Sequence, residues 1–140
     1  MIVLDTNVVS ELMRVKSAQV VVDWVDRQHS ADIHLSAVTV AELYYGVARL
    51  ADGRRKNGLA ERIEAMLDED FDHRVLSFDE TAAGHYAEIV VRRERVGRPI
   101  SMADAQIAAT CRSHGALLAT RNIDDFIDTG VTLANPWSQL

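Results

Sequence analysis

Ile2-Val3-Leu4-Asp5-Thr6-Asn7 is an apolar run that breaks at an acid, and its reading decides the fold. Residues 2–4 read as a short buried strand. Two later stretches have the same form: Ser36-Ala37-Val38-Thr39-Val40-Ala41-Glu42, behind the apolar Ile33-His34-Leu35, and Ser101-Met102-Ala103-Asp104. Each places an acid at the start of a helix. In an open parallel sheet, strands followed by packing helices all end at one edge, so carboxylates remote in sequence meet in one crevice. Such an all-oxygen cluster suits a hard divalent cation, because Mg2+ takes few protein carboxylates and fills its shell with water and substrate phosphate. The pattern predicts metal-assisted chemistry on a phosphate ester.

Outward from these signals, apolar periodicity alternates between strand and helix. Val21, Trp24, Val25 and Gln28 stand at helical spacing within residues 18–28, and Ile33-His34-Leu35-Ser36 is a second strand. Val40, Leu43, Tyr44, Val47 and Leu50 form one stripe of a helix, which places Tyr44 in the core. Gly53 and Gly58 read as the two ends of a loop, followed by a helix over 59–67 and a strand over 74–78. Asp79 is a plausible N-cap for the helix carrying Ala82, Ala83, Tyr86, Ile89 and Val90, which Gly97 and Pro99 terminate. A helix over 101–114 with Gly115 as its C-cap, and strands over 116–120 and 131–134, complete the chain. Alternation of this kind means a parallel α/β sheet covered on both faces.

Composition is compatible with that fold and excludes other classes. The 140 residues, 48% hydrophobic and 26% charged with two prolines, suit one globular domain spanning 1–140 rather than a disordered chain. No apolar stretch is long enough to span a bilayer, and the amino terminus lacks a basic segment before its apolar run, so a soluble cytoplasmic protein is expected. The single cysteine, Cys111, forms no intrachain disulfide and reads as a small core residue on a helix. A net charge of −6 argues against coating nucleic acid through the overall field, although Arg54-Arg55-Lys56 and Arg92-Arg93-Glu94-Arg95 with Arg98 offer local basic rims. The five histidines have no mutual metal-ligand spacing, and no glycine-rich phosphate loop is present.

Each acid also has a purely local reading. Thr39 to Glu42 and Ser101 to Asp104 fit capping boxes, and Asp5 fits an Asx-turn. The joint pattern favours the metal, because three acids at one sheet edge repel one another unless a cation neutralises them. A fourth acidic group follows the 116–120 strand in Thr120-Arg121-Asn122-Ile123-Asp124-Asp125-Phe126. Asn122 stands where a ligand directly beyond the strand is expected and Asp125 is reachable from the first helical turn, while Asn122 as N-cap with Asp124 and Asp125 on the helix dipole is the local alternative. Thr6 and Asn7, beside Asp5, are placed to hold a water or a phosphate oxygen.

Leu4-Asp5-Thr6-Asn7, Thr39-Val40-Ala41-Glu42-Leu43, Ala103-Asp104-Ala105-Gln106-Ile107-Ala108 and Ala119-Thr120-Arg121-Asn122 follow one another in an order and spacing that resemble a PIN-domain ribonuclease of the VapC toxin type, in its FitB-like, plasmid-stability branch. The resemblance runs essentially the whole length, to Asn135-Pro136-Trp137. It implies a three-layer α/β/α domain with a central parallel sheet, a Mg2+ or Mn2+ site, and endonucleolytic cleavage of single-stranded RNA. It further implies inhibition by a small VapB-like antitoxin, homodimers, and operator DNA bound only through the antitoxin.

By position, Asp5, Glu42 and Asp104 match the three central acids of such enzymes, which implies that they are metal ligands, with Asp125 taken as a fourth catalytic acid, Thr6, Asn7 and Asn122 in support, and the fourth ligand itself open among Asn122, Asp124 and Asp125. Many relatives carry an acid directly after the Thr-Arg pair or in the following acidic-Phe turn; this chain has Asn122 at the first place and Asp125 at the second. The expected reaction is attack of metal-activated water on an RNA phosphodiester, leaving a 5′-phosphate and a 3′-hydroxyl. Apolar residues around 59–67 and 86–90 offer surfaces for self-association. The rival readings are a non-catalytic, nuclease-like subunit of a DNA-binding repressor, and a small-molecule phosphohydrolase using Asp5 covalently. Asn7, where the latter needs a second acid, speaks against it.

Overall fold

The computed structural model describes residues 1–138. Its centre is a five-stranded sheet, all parallel, built from β1 (Ile2–Leu4), β2 (Ile33–Ser36), β3 (Val75–Leu76), β4 (Leu117–Ala119) and β5 (Leu133–Ala134) in the order β3-β2-β1-β4-β5. β1 is central: Ile2 stands in register with Ile33 on one side and Leu117 on the other. Because side chains alternate across a strand, Leu4, Leu35 and Ala119 enter one hydrophobic cluster while Val3 and Leu118 enter another. All five are buried, and each large one contributes roughly 1.5–3 kcal/mol through removal from water.

Two helical layers cover these faces, giving the three-layer α/β/α architecture. Helices α1 (Thr6–Leu12), α2 (Gln19–Asp26), α3 (Ala37–Ala48) and α4 (Arg54–Ala65) supply Val8, Val9, Val21, Leu43, Val47 and Ile63 to the first cluster. Helices α5 (Glu80–Arg95) and α6 (Met102–His114) supply Ala82, Ile89, Ile107, Ala108 and Cys111 to the second. Helix ends are set locally. Ser36, Asp79 and Ser101 are N-caps accepting from Thr39, Ala82 and Asp104 amides, and Gly115 ends α6 in the left-handed conformation at φ 62°. No helix among the described residues is long and apolar enough to cross a membrane.

Four local expectations are corrected. Helix α1 follows β1 at once, where periodicity alone marks the first helix at 18–28; seven residues are too few for a clear helical repeat. The loop between Gly53 and Gly58 is instead the first turn and a half of α4, with Gly53 as its N-cap and Gly58 inside it. A helical glycine costs only about 1 kcal/mol, less than the burial of Ile63 with Leu59 and Ala60 recovers. Tyr44, expected in the core, is 40% exposed, because Leu43 and Val47 hold the inward positions of α3. The apolar residues of 59–67 and 86–90 are mostly engaged within the domain: Ile63, Met66, Leu67 and Ile89 are buried, which removes them as a self-association surface.

Candidate active site

Strand order places the site. β1 continues through α1 to β2 on one side, whereas β4 lies on its other side, so the chain diverges at the carboxyl ends of β1 and β4, where ligands of open α/β sheets bind. Asp5 closes β1 there, its amide donating to the Ala119 carbonyl at 2.9 Å. An open cleft of about 510 Å³ at this edge is lined by Asp5, Thr6, Asn7, Glu42, Asp104, Arg121, Asn122 and Trp137, together with Ser10, Glu11 and Arg14. The sheet edge therefore assembles side chains from five separate stretches of sequence.

Asp5 is the anchor. Its carboxylate is 5% exposed and accepts from the Thr6 amide at 2.8 Å, from the Thr120 hydroxyl at 2.7 Å and from the Asn7 side-chain amide at 3.3 Å. As N-cap of α1 it satisfies a local role as well. Thr120 in turn accepts from the Asn122 amide at 3.0 Å, and the Asn7 carbonyl oxygen accepts from the Arg121 amide at 3.3 Å. Burial raises the Asp5 pKa, the bonds from Thr120 and the Thr6 amide oppose that rise, and the charges of Glu42 and Asp125 add to it.

Glu42 stands in the second turn of α3, exposed, and is not the end of a capping box that begins at Thr39; Ser36 is the N-cap instead. Its Oε1 accepts from the Thr6 hydroxyl at 2.7 Å. The Thr6 and Thr39 hydroxyls lie 3.2 Å apart, as do those of Thr39 and Ser36. One ordering lets every hydroxyl donate once: Ser36 to Thr39, Thr39 to Thr6, and Thr6 to the Glu42 carboxylate. This relay ties the end of β2 to the start of α1 and orients Glu42 toward the cleft.

Asp104 lies in the first turn of α6, half-buried, its amide donating to Ser101 Oγ at 3.2 Å. Its pKa is raised to about 6, first by burial and then by the Asp5 charge, with a Ser101 hydrogen bond opposing and the charges of Asp125 and Glu42 adding. The Asp5 charge also helps burial push the Cys111 thiol up to about 12, which leaves this core cysteine an inert thiol.

Residues 123–126 form a 3-10 turn preceded by Asn122, whose side chain makes no capping bond. Asp125 presses electrostatically on both Asp5 and Asp104, whereas Asp124 contributes to neither shift. The turn is held by Arg93, which is 4% exposed. Its guanidinium donates to the carbonyls of Arg98 at 2.6 Å, Asp125 at 2.7 Å and Ile127 at 2.9 Å. Arg98 donates to the Asp124 carbonyl and Arg92 pairs with Asp128. Within the basic run at 92–98, Arg93 is thus a buried clamp on this turn, while Arg92, Arg95 and Arg98 stay exposed.

The donor set is all oxygen, and its acids raise one another's proton affinity. Among the described residues no three His, Cys, Asp or Glu side chains stand close enough to cage an ion unaided. An open set of this kind fits Mg2+ or Mn2+, which are held by one or two carboxylates with water and phosphate completing the shell, better than it fits a closed protein cage. A larger cleft, of about 730 Å³, opens where β2 begins. Its two arginines are engaged by backbone carbonyls, Arg62 by Met13 and Arg74 by Ile33, Ser30 and Asp70.

Sequence reasoning brings Asp5, Thr6, Asn7, Glu42, Asp104 and Asn122 to one cleft, as found, and Asp125 to its electrostatic reach. It gives no role to Thr120, Thr39 or Ser36. A hydroxyl residue directly beyond a strand that pairs with the Asp5 strand was the available signal for Thr120.

Comparison with known proteins agrees with this geometry. The PIN domain family matches residues 2–131. Toxin FitB of Neisseria gonorrhoeae is 44% identical over 137 residues, 98% of this chain and 99% of that protein. VapC ribonuclease Y4jK of Sinorhizobium fredii is 40% identical, covering 98% of each chain. Among solved structures, FitAcB from Neisseria gonorrhoeae superposes with a TM-score of 0.92 at 44% identity, over 99% of this chain and all of the other. FitAB bound to an IR36 DNA fragment does so with a TM-score of 0.92 at 43% identity, over 100% of this chain and 98% of that one.

Proposed function

This chain belongs to the PIN-domain family, and from that premise we propose that it is a metal-dependent endoribonuclease, the toxin of a VapBC-type toxin–antitoxin pair, acting on single-stranded regions of RNA in the cytoplasm. The observation that carries the reading is the convergence of Asp5, Glu42 and Asp104 at one sheet edge, with the Asp104 pKa raised to about 6. Acids crowded and desolvated in this way bind a cation in preference to protons at neutral pH. The names of similar proteins, toxin FitB and VapC ribonuclease Y4jK, support the same assignment.

In this reading Asp5 and Asp104 hold Mg2+ or Mn2+, and Glu42 completes the shell or orients the attacking water. A bound divalent ion supplies charge neutralisation at the phosphoryl oxygens and acidifies water toward neutral pKa. The chain's own groups do the rest. The Thr120, Thr6 and Asn7 donors fix the Asp5 carboxylate, the hydroxyl relay aims Glu42, Asn122 lines the cleft beyond β4, and Asp125 adds its charge from outside the lining. Asn7, engaged with Asp5 and Arg121, is not an acid and cannot be the proton donor two residues beyond an aspartyl nucleophile.

A VapB-like antitoxin silences the enzyme by placing a basic side chain among the acids, where an arginine pairs with two carboxylates at once. Operator DNA is then reached through the antitoxin, in keeping with the net charge of −6 and with the solved FitAB complex on DNA. The likeness to VapC toxins supports a homodimer as the active form, joined through surface other than the buried residues of 59–67 and 86–90. The test is incubation of purified protein with tRNA and Mg2+, followed by mapping of the cut ends, beside an Asp5→Asn control. Cleavage leaving a 5′-phosphate and a 3′-hydroxyl, absent from the control, is expected. An uncut substrate, or equal cleavage by Asp5→Asn, overturns the proposal.

A further inference from the structure

The cleft that holds the acids also contains two arginines, Arg14 and Arg121. Arg14 pairs with Glu11 at 3.3 Å within α1 and its continuation. Arg121 differs: among the described residues its guanidinium meets no carboxylate and no carbonyl, and its one side-chain contact is Trp137, with the guanidinium carbon 5.0 Å from the ring centroid. Five N–H donors thus remain free at the rim of an acidic cleft. The residue is not loosely attached. Its amide donates to Asn7, whose side chain also donates to Asp5, so the position of residue 121 is tied to the central carboxylate.

Trp137 is equally fixed. Its amide donates to Asn135 Oδ1 at 2.9 Å in an Asx-turn after β5, and its ring packs partly buried against the α1–α4 cluster. A cation over an exposed aromatic face adds little stability of its own. What the contact does is hold an unpaired guanidinium beside the acids. A polyanion entering this cleft is repelled by Asp5, Glu42 and Asp104 and by the overall charge of −6, so a cation must receive its backbone. Arginine suits that task because its planar fork matches phosphate oxygens, and because bases as well as indoles stack on its face.

We propose that Arg121, held in place by Trp137 as its positioning residue, grips the backbone phosphate of single-stranded RNA next to the scissile phosphodiester, and that an unpaired base stacks on the Arg121–Trp137 pair. This rests on the ribonuclease reading above. It assigns substrate contact to a residue pair outside the acidic set.

The test uses Asp104→Asn protein, expected to bind RNA without cutting it, in a Trp24→Phe background so that Trp137 is the only tryptophan. A single-stranded 12-nucleotide RNA is titrated in Mg2+ buffer at several salt concentrations. Quenching of Trp137 is expected on binding, with Arg121→Ala weakening affinity about 5- to 30-fold and flattening the slope of log affinity against log salt by about 0.7, the share of one phosphate contact to a single strand. Arg121→Lys should restore the salt slope but not the full quench. In otherwise wild-type enzyme, Arg121→Ala should raise KM more than it lowers kcat, at unchanged Tm. If the wild type cuts RNA while Arg121→Ala binds with unaltered affinity and slope, the subsite is refuted and the ribonuclease reading stands. If the wild type neither binds nor cuts RNA, the underlying reading fails as well.

Discussion

Replacing Asp104 with asparagine should make the metal-free protein more stable while abolishing its cleavage of RNA. The folded protein raises the Asp104 pKa from 3.8 to about 6. At about 1.4 kcal/mol per unit, two units correspond to roughly 3 kcal/mol of destabilisation once the group is ionised, an upper bound for a half-buried carboxylate. Solvent screening reduces this to about 1–1.5 kcal/mol. The sign follows from proton linkage. A folded pKa above the unfolded one means the native state binds the extra proton, so this group's contribution is fully favourable below about pH 4 and is lost as pH rises through about 6. Asparagine never ionises, so it escapes the loss and also relieves Asp5 of a neighbouring charge. In EDTA at pH 8, Asp104→Asn should melt about 3–5 °C above wild type, and the gap should close toward pH 4.5. Added Mg2+ should raise the wild-type Tm and leave the variant almost unchanged. A variant no more stable than wild type at pH 8, or a gap that does not vary with pH, refutes the argument. Asp5→Asn makes the contrast: its amide would present a donor to Thr120 and Asn7, which now donate to Asp5, so it should lose activity with no gain in stability.

Other outcomes follow from the same geometry. Asp125→Asn should lower kcat/KM at least 10-fold, and Asp124→Asn less than 2-fold, since only Asp125 acts electrostatically on the central acids; equal effects in a kinetic comparison would contradict this. Arg93→Met strips three carbonyls of their charged donor and should cost about 3 kcal/mol in urea denaturation, with a loss below 1 kcal/mol showing that the clamp is dispensable. Thr6→Val removes the donor to Glu42 and should reduce turnover about 10-fold at nearly unchanged stability; wild-type turnover would deny the relay a role. At subsaturating Mg2+, activity should rise through about pH 6 as Asp104 loses its proton, and the midpoint should move lower with more Mg2+. A profile insensitive to metal concentration would separate that titration from the ion.

The acids were legible in the sequence because a parallel sheet converts a local event, the end of a strand, into a shared location. Asp5 and Glu42 needed only the recognition that β1 and β2 end together, and Asp104 only its place in the first turn of a helix. What holds them was not legible. Thr120 reaches Asp5 across 115 residues through the pairing of β1 with β4, and no local pattern announces which strands become neighbours. Arg93 reads as one charge in a basic run, and its burial depends on where the 123–126 turn returns. Tyr44 and Gly58 were misplaced for a different reason: helical periodicity leaves the edges of an apolar stripe ambiguous, and glycine's weak helix preference yields to burial of its neighbours.

The site divides its carboxylates by the kind of neighbour each has. Asp5 is surrounded by neutral donors, which oppose the rise that burial imposes on its pKa and fix the direction of its carboxylate. Asp104 has a single capping serine and three acids near it, and burial with their charges raises its pKa to about 6. On the proposed metal-dependent reading, a cation relieves the crowded charge at Asp104 and is aimed by the fixed carboxylate of Asp5. Glu42, exposed and held by one hydroxyl, is the member free to follow substrate into the cleft. On this account the acids differ in function because the fold solvates them differently: the rigid end of β1 supplies direction, the α6 terminus supplies affinity, and the second turn of α3 supplies adaptation.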